Sequence, residues 1–298
     1  TLGSGATTKD YSGNSNDGTI SGADWVKIPY QGSYGFSFNG LQDYIDVGTG
    51  ITFPQTGFSI LSWFNTSLTG DNQRIFACRT SATPYVIVSA VSTNDEMHFQ
   101  IHDGTSSGDI NTGTTTYNDG NWHHFGFTYE QGVGLKLYID GGTPATLSYT
   151  SAPNFNQAAN VEIGRRGDGS NYFDGKISNV SLFNEELTST EVLKIYNSGI
   201  PSDLSSFNPT PVSWWSLGSD SYFNGASWIC PDLIGSNNGT SANMDDDALI
   251  GNAPNSNANG TSTNMTIDAN LTGNAPNSSN NSFSVNMDYT DRETSVPS

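Results

Sequence analysis

Cysteine, positive charge and long apolar runs are all scarce in this chain. Cysteine occurs only at Cys78 and Cys230. Two thiols cannot make a disulfide framework, which leaves a single bridge or two buried free thiols. Lysine and arginine together number 10 against 29 acidic residues, giving a net charge of −19. So acidic a chain is repelled by nucleic acid and by anionic membranes, and neither is expected as a partner. No apolar run approaches the roughly 18 residues that a membrane span requires, and no signal-peptide pattern opens the sequence. The first residue is Thr1 rather than Met, as in a processed product or an excerpt of a longer chain.

Charged residues make up only 13% of the 298, so the polarity comes from Gly, Ser, Thr and Asn. That composition suits many short strands joined by turns. The stretch Asp119–Gly142 shows the pattern best. His123, Phe125, Phe127 and Tyr129 alternate with Trp122, His124, Gly126 and Thr128, and Leu135, Leu137 and Ile139 alternate with Lys136, Tyr138 and Asp140. Period two means strands, and Asp140-Gly141-Gly142 supplies a tight turn. A hairpin with one apolar face needs a second sheet to cover it.

The same alternation recurs along the chain. Tyr34, Phe36 and Phe38 share a face, Ile45 and Val47 point inward, and residues 58–64 are apolar on both faces, as a central strand would be. Further strands are expected at 73–78, 84–91, 96–102, 122–130, 134–140, 160–164 and 173–183, spaced as in a sandwich. One short helix follows. Thr188 and Glu191 form a capping box, Val192, Leu193, Ile195 and Tyr196 make an apolar stripe, and Gly199 with Pro201 ends it. Beyond Pro201 the composition changes. Residues 201–211 read as a linker and 212–298 as a C-terminal segment in which GNAPNS occurs twice, 22 residues apart. Two polar copies cannot support a solenoid, so docking onto another surface is expected. Asp232–Thr240 also echoes Asp10–Thr19.

Three stretches carry a family resemblance. DGNWHHFGFTYE with LKLYIDGG resembles the central hairpin of laminin-G-like, concanavalin A-like domains. VEIGRRGDGSNYFDGKISNVSLFNEELTSTEV is similar to their closing segment, and DYSGNSNDGTI with FSFNGLQDYIDVG to their opening. The resemblance covers residues 1–200 and implies an all-β jelly-roll sandwich of two antiparallel sheets, one concave, with a smaller Asn/Ser/Thr-rich extension after it. The GNAPNS units resemble tails of such domains in structural proteins of tailed bacteriophages. The fold hosts lectins, hydrolases, lyases and spacers alike, so activity has to be read from the site.

Carboxylate catalysis of glycoside hydrolysis needs two acids about 5 to 9.5 Å apart. The Glu-x-Asp-x-x-Glu motif of glucanases with this fold is missing. Glu162 and Asp46 stand singly on their strands, and Glu185-Glu186 point to different sides ahead of the helix. No catalytic residue is assigned. The resemblance also implies a Ca²⁺ ligand in the closing strand, but Ser178 and Asn179 replace its acids. Asp43, Asp168 and Asp174 are loop residues better suited to turns, and so are Asp245-Asp246-Asp247. His123-His124 and His98/His102 lack chelating spacing, so no metal or other cofactor is assigned. A sugar site needs an aromatic platform and fixed polar groups. Arg165, Arg166, Asp168, Asn171 and Tyr172 bring these types into eight residues, and Trp122 is a further candidate platform. The Arg166–Asp168 tripeptide and the Asn-x-Ser/Thr sequons at Asn65, Asn179, Asn259, Asn264 and Asn270 are expected from composition alone.

The sequence therefore points to a non-catalytic, glycan-attaching surface protein of a virion, a head decoration or fibre component, docked onto other virion proteins or copies of itself. An extracellular lectin or adhesin is the alternative, and a glucanase- or lyase-type enzyme the third reading.

Overall fold

The computed structural model describes residues 35–69, 72–79, 85–91, 96–151, 160–218, 220–245 and 248–250, together with residues 7–8 and 18–19. Tyr34 and the GNAPNS repeat lie outside them. The contacts divide the chain into residues 1–31 and 32–298. In the first unit β1 (Thr7–Thr8) and β2 (Gly18–Thr19) pair antiparallel. The rest of the description concerns the second.

Two antiparallel sheets make the sandwich. The first runs β12 (Ala145–Ser148), β11 (Gly134–Ile139), β10 (Trp122–Glu130), β5 (Gly57–Asn65), β14 (Asp174–Phe183), β3 (Gly35–Asn39) and β19 (Leu249–Ile250), with β15 (Ser213–Trp215) also paired to β14. The second runs β16 (Tyr222–Phe223), β17 (Trp228–Cys230), β18 (Gly239–Ala242), β4 (Tyr44–Gly48), β13 (Val161–Ile163), β6 (Gln73–Cys78), β7 (Tyr85–Val91), β8 (Glu96–His102) and β9 (Ser107–Thr116). The expected hairpin is present, with Phe125 opposite Ile139 and Phe127 opposite Leu137. Inward-pointing Phe127 stacks on Phe99 of the second sheet, and Ile45, Val47, Val161 and Ile163 join the same core.

All nine residues of β5 are buried, because both of its faces are covered. Phe58, Ile60 and Phe64 face the inter-sheet core. Leu61 belongs to a second cluster on the outward side, with Tyr138, Phe183, Leu187, Val192, Ile195, Leu204 and Trp214. This cluster lies under α1 (Ser189–Tyr196), whose capping box forms between Thr188 and Glu191 as expected. The helix ends at Asn197 in the left-handed region, two residues before Gly199. Leu193, placed in the apolar stripe by its sequence position, is 52% exposed. Val192 and Ile195, three apart, are the helix's fully buried residues, and half-buried Tyr196 stacks on Trp63 beside them.

The expected boundary near residue 200 falls inside this architecture. Leu204 is buried in the helix-side cluster and Phe207 packs against it, so residues 201–211 are not a free tether. Beyond them, β15 pairs with β14, β18 with β4 and β19 with β3. Composition shifted at Pro201 because these are short strands in a turn-rich segment, which lack the long alternation that marks a strand in sequence. The Asp232 carboxylate organises this part. It accepts backbone N–H groups from Trp214, Ile234, Gly235 and Asn237 at 2.9–3.2 Å. Cys78 and Cys230 are both buried free thiols, each pushed up to about 12 by burial.

Ending the chain at Gly199 removes Trp215 and Trp228 from the core, together with the pairings of β15 with β14, β18 with β4 and β19 with β3 and the two that join β16, β17 and β18. Loss of a cooperative transition in denaturant is the expected outcome, and calorimetry of the shortened chain against the full one checks it.

The buried His124 supplies a pH dependence. It lies against Trp63, with ring centroids 5.0 Å apart, and near Tyr196. Burial pushes its imidazole down to about 3. A histidine depressed in the folded state takes up its proton in the unfolded state first, so its contribution is complete above about 6.5 and fades as pH falls toward 3. Neighbouring His123 has the opposite sign. Asp140 at 2.7 Å and Asp119 at 3.1 Å raise it despite burial, so its contribution is complete below about 6.5 and fades as pH rises through the raised value. In His124→Phe the fall of stability below pH 6.5 is expected to flatten by up to about 1.4 kcal/mol per pH unit. Denaturant midpoints between pH 7 and 4.5 measure it.

Candidate functional site

The turn joining β13 to β14 crosses from one sheet to the other, and two glycines set its path. Gly164 has φ +88, and a Cβ there would lie 2.5 Å from the ring of Phe38. Its N–H donates to Ile75 and its carbonyl accepts from Phe173. At Gly167 a Cβ would sit 2.0 Å from the Arg79 carbonyl oxygen, so the turn lies directly on the end of β6. Side chains at either position would force backbone apart. Arg166 and Ser170 bridge across the turn, and the Asn171 carbonyl accepts the Arg74 N–H at 3.2 Å.

Arg165 is gripped by its neighbours. Its Nε and Nη2 each donate to Glu162 at 2.8 Å, Nη1 donates to the Tyr172 hydroxyl at 3.2 Å, and the guanidinium lies 3.3 Å from the centroid of Tyr44. The hydrogen bonds it donates to Glu162 and then to Tyr172 hold the guanidinium's pKa above its usual value against the effect of burial. Glu162 is 3% exposed, so removing Arg165 would strand a buried carboxylate at a cost of roughly 3–5 kcal/mol.

Arg166 forks onto Asp168, with Nε 2.9 Å from Oδ1 and Nη2 2.6 Å from Oδ2. The Ser170 hydroxyl also donates to Asp168. Arg166 holds the Asp168 carboxyl below the usual range, with Ser170 and Arg79 assisting. Arg74 is buried in β6 and its pKa falls to about 10, first through burial and then through Arg166 and Arg79. Arg79 lies 4.3 Å over Tyr85, whose ring is 5.3 Å from that of His102. Farther along this outward face, Gln100 donates to Asp109, which also contacts His98.

The structure thus gathers Arg165, Arg166, Asp168, Asn171 and Tyr172 in one turn. Trp122 is not brought to them. It shares parity with His124 on β10, placing it on the outward face of the other sheet. Tyr44, Glu162, Arg74, Arg79 and Tyr85 were not foreseen as neighbours of the turn, since strand pairing and not sequence spacing brings them there. The period-two pattern of β4 does announce Tyr44 and Asp46 as outward-facing.

Asp46 and Glu162, each without a partner on its own strand, stand opposite one another across β4 and β13. The pair still lacks the freedom catalysis needs. Both Glu162 oxygens accept from Arg165, while Asp46 accepts from the Gly48 N–H and from Asn160. The three aspartates weighed for a cation are engaged separately. Asp168 binds Arg166, Asp43 accepts the Asn39 N–H and is raised chiefly by burial, and the Asp174 side chain lies against Gly40.

Comparison with known proteins agrees with this architecture. A putative carbohydrate binding protein from Bacteroides ovatus is similar at a TM-score of 0.56 and 17% identity, over 79% of this chain and 66% of that one. A heptameric SAP-like pentraxin from Limulus polyphemus gives 0.44 and 15%, over 67% of this chain and 92% of that one. The Ruminococcus gnavus sialidase CBM40, solved with α2,6 sialyllactose, gives 0.47 and 12%, over 57% and 100%. No curated protein sequence matches the chain. The family model of the concanavalin A-like lectin/glucanases superfamily, Laminin_G_3, matches residues 38–193, and the chain belongs to that family.

Proposed function

We propose that this protein is a non-catalytic carbohydrate-binding module. Its glycan site is the outward face of the nine-stranded sheet at the Arg165–Tyr172 turn. The observation that carries the reading is the ready-made cluster of Tyr44, Glu162, Arg165 and Tyr172, in which each polar group is oriented by another. Sugars are recognised by an aromatic surface for the pyranose face and by fixed polar groups for the hydroxyls. Holding those groups in place beforehand lowers the entropic cost of binding. Arg165 is the brace of this site, and Tyr172 and the groups around it provide the contact surface. Binding is favoured over hydrolysis because both oxygens of Glu162 accept hydrogen bonds from Arg165, which holds the side chain in place. The shared fold with the Bacteroides ovatus protein supports the reading by analogy.

The wider setting we propose is a virion surface, with the polar GNAPNS repeat docking the protein onto other virion proteins or onto copies of itself. Its support is the repeat's composition, too poor in apolar residues for a core of its own. The alternative setting is an extracellular lectin or adhesin.

A glycan array screened with the full chain, in calcium and in chelator, tests the function. Retention of defined glycans is expected, and the two conditions separate calcium-dependent from calcium-independent binding. Tyr172→Ala should weaken binding by roughly tenfold while leaving the unfolding midpoint near that of the parent. A chain that retains no glycan, or one that binds equally well without Tyr172, would reject the reading.

A further inference from the structure

The turn from β3 to β4 uses only half of its aspartate. Asn39 Oδ1 accepts the N–H groups of Leu41 and Gln42 at 2.9 and 3.1 Å, and Asp43 Oδ2 accepts the Asn39 N–H at 2.9 Å. Asp43 Oδ1 has no hydrogen-bond partner among the described residues, although the residue is only 6% exposed. A buried oxygen left bare marks a missing partner: a proton, a water or an ion.

The C-terminal segment brings a second carboxylate to the same turn. β18 runs antiparallel to β4 with Ala242 opposite Tyr44, so the next residue, Asn243, comes level with Asp43. Asn243 Nδ2 donates to the Gln42 carbonyl at 3.0 Å, and its φ of 60 bends the chain. Asp245 follows two residues on. Its carbonyl accepts the Trp228 indole N–H at 2.7 Å and the Ala248 N–H at 3.2 Å, which fixes the bend ahead of β19. Burial and then the charge of Asp245 push the Asp43 carboxyl above its usual range, so the two carboxylates oppose one another. No basic side chain among the described residues forms an ion pair with either.

We propose that a divalent cation, calcium by its coordination chemistry, bridges Asp43 and Asp245 and ties the C-terminal segment to the β3–β4 turn. Calcium accepts irregular shells of roughly six to eight oxygens, whereas magnesium demands a near-ideal octahedron. The two carboxylates supply the charge. Carbonyl oxygens of the two turns and water complete the shell, since Asp245 lies on the exposed side. The site is separate from the closing-strand position, where Ser178 and Asn179 stand, and it does not depend on the glycan reading. Asp174, whose side chain lies against Gly40, is not among the charges acting on Asp43 and serves as the control.

Thermal unfolding of the full chain tests this in about 5 mM calcium chloride, in magnesium chloride, in sodium chloride of matched ionic strength and in chelator. Calcium is expected to raise the midpoint by about 3 °C or more over sodium, with magnesium well below calcium. The rise shrinks at acid pH, where a proton competes for Asp43. Asp43→Asn keeps the acceptor for Asn39 and should unfold in chelator at or above the parent's midpoint, yet lose the calcium response. Asp245→Asn should need at least about tenfold more calcium for the same rise, and Asp174→Asn should leave the response intact. Asp245 is exposed, so its substitution tests the site even where Asp43→Asn fails to fold. Terbium gives an independent readout. Trp228 sensitises its luminescence in the parent, calcium displaces it, and Asp43→Asn removes that displaceable signal.

A midpoint no higher in calcium than in matched sodium would overturn the proposal. If stability in chelator then falls with rising pH in the parent but not in Asp43→Asn, the missing partner is a proton. An equal rise in all three salts would mean only screening of the net charge of −19, and the site falls. A calcium response that survives Asp43→Asn, or that vanishes in Asp174→Asn, would place the cation elsewhere.

Discussion

The burial of β5 on both faces is the constraint on which the rest of the structure depends. Its alternating Phe58, Ile60 and Phe64 demand a second sheet, while Leu61 and Trp63 demand cover on the other side. A strand apolar on one face is satisfied by a two-layer sandwich; this one requires a third layer. That layer is α1 together with residues around Leu204 and Trp214. The candidate site lies on the outward face of the other, nine-stranded sheet, where Tyr44, Glu162 and Arg165 meet.

On that outward face, polar groups have to be satisfied by one another or by water. Arg165 and Glu162 illustrate the first case. A buried carboxylate is tolerated because a guanidinium meets it with two parallel hydrogen bonds, and the pair contributes orientation more than net stability. Tyr44 stacks on the same guanidinium, so three side chains from β4, β13 and the following turn become one rigid unit. Arg166 and Asp168 repeat the pairing at the surface, where solvent competes with it. In the glycan site proposed above, the locked inner pair would orient the contact surface and the outer pair would remain accessible.

Net charge and local charge act over different distances in this molecule. The net charge of −19 is a sum over the sequence and governs encounters at long range. The arginine cluster acts within a few ångströms, and burial of Arg74 strengthens its field by excluding water. A reading based on composition alone would miss it, because only strand pairing brings Arg74 of β6 and Arg79 just after it beside a turn some ninety residues later.

Hydrophobic periodicity made much of the fold legible. The hairpin of β10 and β11, the doubly buried β5, the inward Ile45 and Val47 and the capped helix all follow from local spacing, because period two and the Thr188–Glu191 box are properties of adjacent residues. The short strands β15 to β19 were not legible. Two to four residues carry no period, and their hydrogen bonds come from partners far along the chain. The turn residues of the candidate site were visible as a cluster, since they are contiguous. Their partners Tyr44, Glu162, Arg74 and Arg79 were not, and Trp122 lies on the outward face of the other sheet. The sequence by itself determined which residues are buried and which face of each strand they occupy, since alternation is a local steric fact. Only the tertiary structure decided which strands stand side by side, and so which charges meet, because register between distant segments is set by the packing of the whole core.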